Sequence, residues 1–488
     1  MLELVVFLCG AVVMVLEMVG SRILAPYLGS SIIVWTSLIG IILASLSIGY
    51  WWGGAKADKN ASYRGLSLII LLAAFFIAAI ALSKSFILNF LQDHATSIRL
   101  SSAVATIVLF APPGILLGMV SPYAVKLKLT SLDKSGNTVG RLYAVSTIGS
   151  ILGTFAGGFF LIAFLGSTKI LYVLSIILVV TSLVAFMGGK LLKLSALGLF
   201  VILAIAADSY ENYLAAHGFH DIDTDYNRII IYDGKDFRSG LTFRIMTTHP
   251  KAMQSAMYVE EPTRLALPYS KFYDLAACCK PDLKSMLIIG GGGYSYPKYA
   301  LAKYPNLKID VMEIDPKVTE LAREFFALGQ DPRLTVIHGD ARSALNKSDK
   351  KYDAILIDAF NSHYSIPFHL TTQETARLLH DRLADDGVVI LNILSSLDGR
   401  TGRFLRAEYA TYKSVFRQVR LYPVNSGEDG DIWQNIMLVA QKTDMRMEES
   451  TQDPELRELL GRLYTGTVRE DVPILTDDFA PVDSYIAY

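Results

Sequence analysis

Residues 286–293 read MLIIGGGG, an apolar tetrapeptide that passes directly into four glycines. A short apolar run bounded by glycine is typical of a buried β-strand. Glycine has no Cβ, so the backbone after such a strand can approach a bound molecule closely. The junction therefore predicts a strand followed by a ligand-binding loop, and its candidate ligand-contacting residues are Gly290, Gly291, Gly292 and Gly293.

Downstream of this loop, short apolar segments alternate with helical patterns. The further strands are predicted at 309–313, 334–337, 353–358 and 387–391, and the helices at about 297–304 and 316–328. Strand–helix alternation implies right-handed βαβ units and a mostly parallel sheet. Ligands of such sheets bind beyond the carboxyl ends of the strands. The predicted class is an α/β Rossmann-like domain.

Acidic residues follow three of these strands in succession. Glu313 ends the second strand about 20 residues after the glycines, where an acid binds ribose hydroxyls in nucleotide sites. Asp340 follows the third strand and is suited to accept a hydrogen bond from an adenine amino group. Asp358 ends the fourth strand and faces the same crevice. The glycine loop and three ordered acids together predict a nucleotide site rather than ordinary turn residues.

The segment before the glycine loop has a different pattern. Residues 226–260 carry short apolar runs bounded by Gly, Asp and Pro, with strands expected at 228–232 and 241–246 and a turn at Asp233-Gly234. We therefore predict a small β-rich subdomain over 209–267 and the Rossmann-like domain over 268–488.

This half of the sequence resembles the polyamine aminopropyltransferase (spermidine synthase) family. The matching segments are QSAMY (254–258), LIIGGG (287–292), EIDP (313–316), DPR (331–333), GDA (339–341) and LID (356–358). The ending LTDDFAPV (475–482) and the apolar N-terminal half resemble the branch in which a helical membrane bundle precedes the synthase domain. The resemblance implies a class I methyltransferase/spermidine synthase fold, and S-adenosylmethionine or its decarboxylated form as substrate.

The resemblance also implies roles for individual residues. Gln254 would contact the donor, Glu313 its ribose, and Asp340 with Ala341 its adenine. Asp358 would be the catalytic acid that receives a proton from the attacking amine, because an amine attacks only when unprotonated. Tyr269 matches the family's substrate-contacting tyrosine or is an ordinary core aromatic, and Asn392 lies where the family often has Gln. Soluble members of the family often form homodimers.

Two positions depart from the family pattern. The loop has Gly293-Tyr294 where the family usually has Asp-Gly, and Asn361 replaces the usual second acid after the fourth strand. Both missing acids normally face cationic amines, and a polyamine site without them loses charge complementarity. Losing the acid near the donor's amino end also removes repulsion against a carboxylate, so intact S-adenosylmethionine becomes a plausible donor.

These departures leave several functions open. Aminopropyl transfer to a polyamine such as putrescine, with release of methylthioadenosine, is the family default. A lyase reaction would instead let the donor's own carboxylate attack its γ-carbon, giving methylthioadenosine and homoserine lactone, and needs only a folded conformer held in place. Methyl transfer, and a transporter or sensor of adenosyl ligands, are further alternatives because fold alone does not decide chemistry.

The N-terminal 208 residues predict an α-helical transmembrane bundle. A helix needs about 20 apolar residues to span a bilayer, and candidate spans occur at 2–20, 32–52, 65–83, 101–120, 143–165, 168–188 and 191–207. Gly, Ala and Ser are frequent within them, and small residues let helices pack closely in lipid. Membrane lipid is thus an expected partner, and the expected location is the plasma or inner membrane.

Orientation follows from the basic residues of the loops. The loops after spans two, four and six carry nine Lys and Arg, and the opposite loops carry four, which places the N-terminus in the cytoplasm. Seven spans would then put the soluble domain outside, whereas adenosyl donors are cytosolic and predict a cytoplasmic domain. We therefore expect either that the short segment 191–207 is re-entrant or interfacial, or that another of the seven segments is miscounted as a span.

Composition excludes other classes of protein and other kinds of site. With 45 basic and 46 acidic residues and no basic tract, the chain lacks the positive stripe of a nucleic-acid reader. Cys9, Cys278 and Cys279 have no metal-binding spacing, so no metal is predicted. Glu17 and Arg22 lie at membrane depth, where they either serve a function or form a structural pair at a helix end.

Overall fold

A computed structural model describes residues 1–94, 97–129, 135–236, 239–248, 253–359, 366–425, 430–444 and 451–486. The chain forms two compact units, Met1–Ile229 and Ile230–Tyr488. The boundary predicted from composition, at 208, lies inside the last long helix of the first unit.

The first unit consists mainly of helices. They are α1 (Leu2–Leu28), α2 (Ile32–Asn60), α3 (Tyr63–His94), α4 (Ile98–Gly118), α5 (Val120–Lys128), α6 (Ser135–Ala156), α7 (Ile162–Phe164), α8 (Ser167–Ala185) and α9 (Lys190–Ala216). A π-helical turn, Gly157–Leu161, joins α6 to α7. The unit ends with β1 (His220–Asp223) and the start of β2 (Arg228–Lys235).

Seven helical segments of the described residues are long and apolar enough to cross a membrane. They correspond to the seven predicted segments; six are longer than predicted, and Ser167–Ala185 is two residues shorter than the predicted 168–188. The segment expected to be too short, 191–207, lies within the 27-residue helix α9. The helix exceeds the apolar run because it continues through polar and aromatic residues after Ala207.

Helices of the first unit approach one another through glycine, as the frequency of small residues predicts. A Cβ on Gly149 of α6 would lie 2.1 Å from the carbonyl oxygen of Phe7 in α1. Likewise, a Cβ on Gly49 of α2 would lie 2.2 Å from the carbonyl oxygen of Ile115 in α4. No side chain fits at either position, so glycine sets the distance between these helices.

The second unit contains two kinds of strand arrangement. After β2, its remaining strands are β3 (Thr242–Thr247), β4 (Ser255–Tyr258), β5 (Ser285–Ile289), β6 (Lys308–Glu313), β7 (Leu334–His338), β8 (Tyr352–Ile357), β9 (Leu383–Ser395), β10 (Gln418–Pro423) and β11 (Gln434–Gln441). Strands β2, β3 and β4 pair antiparallel in sequence order. The other seven form one sheet of order β10-β11-β9-β8-β5-β6-β7.

The antiparallel segment corrects one detail of the sequence analysis. The predicted turn at Asp233-Gly234 is wrong, because β2 continues through both residues and Gly234 pairs with Phe243. The chain reverses later, where the Asp236 N–H donates to the Leu241 carbonyl at 3.0 Å. Gly240 has φ 72° there and supplies the left-handed conformation of the turn.

The large sheet confirms the predicted α/β architecture. Strands β5 to β9 are parallel, and β10 and β11 add two antiparallel strands at one edge. Leu287 and Ile289 of β5 belong to one apolar core cluster, while Met286 and Ile288 are equally buried on the other face. Burial on both faces explains why the central strands read as continuous apolar runs.

The helices of the second unit connect these strands. They are α10 (Leu275–Cys279), α11 (Ser295–Lys303), α12 (Pro316–Phe325), α13 (Ala341–Asn346), α14 (Gln373–Asp381), α15 (Arg403–Lys413), α16 (Pro454–Leu460) and α17 (Val482–Ile486), with 3-10 segments at Pro268–Asp274 and Phe368–Leu370. Helix α12 stops three residues before the predicted end, because Ala327 takes φ 54°. An alanine in that left-handed conformation cannot continue a helix.

Helix α15 carries a buried acid in the apolar core. Glu408 is fully buried, and neither of its carboxylate oxygens has a hydrogen-bond partner among the described residues. The Tyr412 hydroxyl, one turn later, is unpaired in the same way. Burial raises the pKa of the Glu408 carboxyl well above its ordinary range. The folded protein therefore holds this side chain protonated.

We predict that Glu408→Gln stabilises the protein increasingly as pH rises. In the unfolded chain glutamate ionises near pH 4.3. The folded pKa is raised, so the stability of the wild type is complete below that pH and falls as pH increases towards the folded pKa. The difference from the variant should grow by up to about 1.4 kcal/mol per pH unit.

Thermal unfolding of the purified chain between pH 5 and pH 8 measures this difference. Glu458→Gln serves as the control, because that side chain is 70% exposed. A constant difference between wild type and Glu408→Gln across the range would contradict an ionising buried acid.

Candidate active site

The site lies where the carboxyl ends of four parallel strands meet. In the registers, Ile289 of β5 pairs with Met312 of β6 on one side and with Ile357 of β8 on the other. The residues that follow these positions are Gly290, Glu313 and Asp358, which therefore lie side by side. The chain moves from β5 to β6 in one direction and reaches β8 in the other, so a crevice opens at this edge.

The glycine loop approaches Asp358 so closely that only glycine fits at its first position. Gly290 has φ 98°, and a Cβ there would lie 2.3 Å from the Asp358 carbonyl oxygen. The Asp358 N–H donates to the Ile289 carbonyl at 2.8 Å, which continues the strand pairing. The loop and the acid are thus fixed to each other by backbone contact.

Glu313 closes the loop from the other side. One carboxylate oxygen accepts the Gly291 N–H at 2.8 Å, and the other accepts the Asp315 N–H at 3.0 Å. The side chain is 7% exposed. Burial raises the pKa of Glu313, and the backbone hydrogen bonds oppose that rise. Each oxygen keeps a further lone pair with which to accept a hydroxyl donor.

Asp340 has two partners of its own. It caps helix α13, whose first residue is the buried Ala341, by accepting the Ser343 N–H at 2.8 Å. Its other oxygen lies 2.8 Å from Nε2 of His369. Burial would raise the pKa of this carboxyl, but the hydrogen bonds from Ser343 and His369 outweigh burial and lower it. Asp340 is therefore ionised and held in one orientation.

Asp358 is the centre of a hydrogen-bonded chain of side chains. The Tyr269 hydroxyl donates to one carboxylate oxygen and Asn392 Nδ2 donates to the other, each at 2.9 Å. Asn435 Nδ2 in turn donates to Asn392 Oδ1 at 2.9 Å. Tyr269 thus contacts the acid instead of lying only in the core. Asn392, which lies within strand β9, donates to the same acid.

The surroundings of Asp358 adjust its proton affinity in two directions. Burial raises the pKa of this carboxyl, while hydrogen bonds from Asn392 and Tyr269 lower it, and burial prevails. A carboxylate with a raised pKa is a stronger base. The arrangement suits a group that takes a proton from a cationic nucleophile.

The remaining predicted residues lie on the loop's outer side. Gly293 donates its N–H to Ser255 Oγ at 3.0 Å. Gln254, adjacent to Ser255 at the start of β4, donates its own N–H to the Met246 carbonyl at 3.1 Å. Gly292 has φ 50°. Asn361 lies outside the described residues.

Several residues of the site were not predicted from the sequence. His369, Asn435 and Tyr273 reach it from distant parts of the chain, and no local pattern distinguishes them. Asp477 belongs to the ending LTDDFAPV, which was noted only as a resemblance. It forms two hydrogen bonds with Arg342 of α13, at 2.6 and 2.5 Å, directly after Asp340 and Ala341. The C-terminal segment therefore supports the loop that carries Asp340.

The fold and these contacts define a Rossmann-like α/β domain with a buried, hydrogen-bonded acid at the strand switch. Residues 270–440 match the spermine/spermidine synthase domain. Within this domain the chain is similar to spermine and spermidine synthases.

Two named relatives are also similar to this chain. A polyamine aminopropyltransferase of Vibrio vulnificus is 33% identical over 201 residues, which cover 40% of this chain and 64% of that protein. Polyamine aminopropyltransferase 2 of Ralstonia nicotianae is 23% identical over 430 residues, 81% of this chain and 79% of that protein. The second match is longer than the Ile230–Tyr488 unit, so it extends into the helical half.

One solved structure is similar to about half of the chain. A probable spermidine synthase from Corynebacterium glutamicum has 23% sequence identity and a TM-score of 0.41, over 49% of this chain and 85% of that chain. The match to the Vibrio vulnificus relative spans just under two thirds of that protein's length.

We predict that Tyr269→Phe shifts the acid limb of the pH–rate profile to higher pH. The hydroxyl stabilises the ionised form of Asp358, so its loss raises the pKa of that carboxyl further. Fewer molecules then hold the base form at a given acidic pH. The measurement is kcat/KM for methylthioadenosine release between pH 5.5 and 9.

Tyr296→Phe is the control for this shift, because the Tyr296 hydroxyl donates to a different buried acid, Asp274, at 2.9 Å. An acid limb that stays in place in Tyr269→Phe would show that Asp358 does not set it.

We also predict that Glu313→Ala weakens binding of the adenosyl donor by about 10- to 100-fold. A hydrogen bond to a charged group contributes roughly 1.5–3 kcal/mol, and tenfold in affinity is about 1.4 kcal/mol. Isothermal titration with S-adenosylmethionine and with methylthioadenosine measures the change. Glu320→Ala, which removes an exposed acid from α12, should leave both affinities unaltered. Equal affinities in Glu313→Ala and wild type would remove Glu313 from the site.

Proposed function

We propose that this protein is an integral-membrane enzyme that cleaves the Cγ–sulfonium bond of decarboxylated S-adenosylmethionine or S-adenosylmethionine and releases methylthioadenosine. In the reaction we place first, the amine of a polyamine such as putrescine takes the aminopropyl group. The match of residues 270–440 to the spermine/spermidine synthase domain supports the reaction class, and the relatives reported above are named as aminopropyltransferases.

The observation that carries the proposal is the environment of Asp358. Polyamine amines are protonated near neutral pH, and only the free amine attacks carbon. A carboxylate at the strand switch, made more basic by burial and held by Tyr269 and Asn392, is suited to accept that proton. The amine lone pair then forms the new N–C bond. The C–S electrons leave with sulfur, which becomes the neutral thioether of methylthioadenosine.

The neighbouring groups fit the rest of the donor. Glu313 has lone pairs available for both ribose hydroxyls, and the glycine loop allows close backbone approach beside it. We assign the adenine to the region of Asp340 and Ala341, where His369 fixes the orientation of the carboxylate. The cationic sulfonium is attracted by the ionised acids and is neutral after transfer, so these acids favour binding of the donor over binding of the product.

A lyase reaction without an acceptor is the second candidate, and the packing around Gly293 favours it. A Cβ on Gly293 would lie 2.9 Å from the Phe326 ring and 3.2 Å from the Ser255 Cβ. The acid that the family usually has at this position does not fit unless the ring moves. The loop therefore presents no charge there that would repel a carboxylate, and the methionine carboxylate of intact S-adenosylmethionine is tolerated.

The membrane assignment rests on the surface of the helical unit. Large apolar side chains such as Trp51, Phe86, Phe164 and Leu191 are each more than 70% exposed. An aqueous surface rarely carries so many large apolar groups, whereas lipid accommodates them. We propose that the seven apolar helices insert into the plasma or inner membrane and that the catalytic unit faces the cytoplasm, where adenosyl donors are found.

Product analysis of the detergent-purified chain distinguishes the two reactions. S-adenosylmethionine and its decarboxylated form are each supplied with and without putrescine. We expect methylthioadenosine and spermidine only with the decarboxylated donor plus putrescine. Methylthioadenosine from S-adenosylmethionine alone, with homoserine or its lactone, would replace transfer with the lyase reaction.

Asp358→Asn is the companion variant, and we expect it to lower kcat for transfer by about 100-fold or more, within the range of general-base catalysis. The amide keeps the hydrogen-bonding shape but cannot take a proton. Full turnover in this variant would exclude Asp358 as the base. An active Asp353→Asn control would show that losing an acid from the same strand is not itself damaging.

A further inference from the structure

A polar cavity lies within the helical unit, apart from the residues of the active site. Its volume is about 150 Å³. Six charged side chains line it: Arg22, Lys84, Glu211, Asp221, Asp223 and Arg228. They come from α1, α3, α9, β1 and the first residue of β2, all within Met1–Ile229. Burying charge in an apolar bundle is costly, so each charge requires a partner.

Two buried lysines of this bundle differ in how their charge is satisfied. Lys193 is 5% exposed and Lys84 is 8% exposed. The ammonium of Lys193 donates to three protein oxygens, Ser67 Oγ (2.5 Å), the Ser182 carbonyl (3.0 Å) and the Phe186 carbonyl (2.5 Å). The ammonium of Lys84 has the same three donors but forms one hydrogen bond among the described residues, to Thr168 Oγ1 at 2.7 Å. Two donors of Lys84 therefore stay available beside the cavity.

Asp223 is hydrogen-bonded to Ser167, the residue directly before the Thr168 that contacts Lys84. One carboxylate oxygen of Asp223 accepts the Ser167 N–H at 3.0 Å and the Ser167 hydroxyl at 3.3 Å. Ser167 and Thr168 open helix α8, so consecutive residues hold an anion and a cation. Within the described part of the chain, no carboxylate lies within 4.0 Å of the Lys84 ammonium. The two opposite charges share one cavity without touching.

The other charges of the cavity wall are largely paired. Arg228 Nε donates to Asp221 Oδ1 at 2.7 Å, and Glu211 lies 3.0 Å from Lys169. Arg22 donates to the Asp225 carbonyl. Lys84 and Asp223, by contrast, are hydrogen-bonded to neutral groups. Opposite charges in a medium of low polarity attract strongly. A separation maintained by Ser167 and Thr168 therefore leaves a gap that a bridging molecule of matching charge would fill.

We propose that this cavity binds a small zwitterion, with its oxyanion on Lys84 and its primary ammonium on Asp223. A ligand with only a negative charge would be repelled by the acids of β1, and a ligand with only a positive charge would be repelled by Lys84. A molecule that carries both groups a few atoms apart satisfies both walls with charge-assisted hydrogen bonds. A free amino acid and the headgroup of an aminophospholipid share this chemistry. The site is independent of the proposed transferase reaction, because none of its residues belongs to the catalytic unit.

Thermal unfolding of the full chain, without any adenosyl donor, tests the proposal in two arms. In the first, detergent-purified protein is titrated with glycine, and with acetate and methylammonium as the separate halves. In the second, nanodiscs containing phosphatidylethanolamine are compared with nanodiscs of phosphatidylcholine, whose quaternary ammonium has no N–H to donate. We expect a saturable rise of about 2 °C or more in one arm. The arm in which the rise occurs shows whether the ligand is a free solute or a lipid headgroup.

Lys84→Met and Asp223→Asn should each raise the half-saturating concentration of the active probe at least tenfold, the size expected for a lost charge-assisted contact. Lys193→Met, the other buried lysine, should leave that concentration unchanged. Two separate variants keep the test decisive if one of them fails to fold. No rise in either arm beyond that of the half-molecule or phosphatidylcholine controls overturns the proposal. A rise that survives both substitutions, or is lost equally in Lys193→Met, also overturns it.

Discussion

Strands β5 and β8 pair in parallel at the centre of the large sheet, and the first glycine of the loop packs against the acid that ends β8. The 2.3 Å that would separate a Cβ of Gly290 from the Asp358 carbonyl leaves no room for any other residue. This contact sets the position of the loop, and the loop in turn gives Glu313 a backbone N–H to accept. Binding groups and the acid are thus placed by backbone geometry, which is stiffer than a set of side-chain contacts.

Much of this could be predicted from the sequence, because the relevant signals are local. Strands β5 to β8 are apolar runs with a glycine or an acid at their ends, and both faces are buried, so their pattern is continuous. Strand β10, at the sheet edge, was missed because it carries mixed residues, whereas the apolar run 436–440 of β11 was overlooked. The prediction of a turn at Asp233-Gly234 was wrong because pairing of β2 with β3 outweighs the local turn preference of these two residues. His369 and Asn435 meet the site only through tertiary folding, which no spacing along the chain reveals.

The two halves of the chain use charge differently. In the Ile230–Tyr488 unit, Asp358 accepts hydrogen bonds from the neutral side chains of Tyr269 and Asn392, and burial raises its pKa. In the helical unit, Lys193 is saturated by neutral acceptors and Lys84 is not. Neutral hydrogen-bonding groups therefore hold charges in place in both halves and leave part of each charge free to act on another molecule.

The ion pair between Arg342 and Asp477 affects how the protein matures. Chains emerge from the ribosome from the N-terminus, and domains tend to fold as they appear. All seven apolar helices precede residue 217, whereas Asp477 follows the last strand of the sheet by 36 residues. The helices are therefore available for membrane insertion long before the loop bearing Asp340 gains its support. The loop that carries Asp340 therefore gains its last support only after synthesis has passed the C-terminal motif.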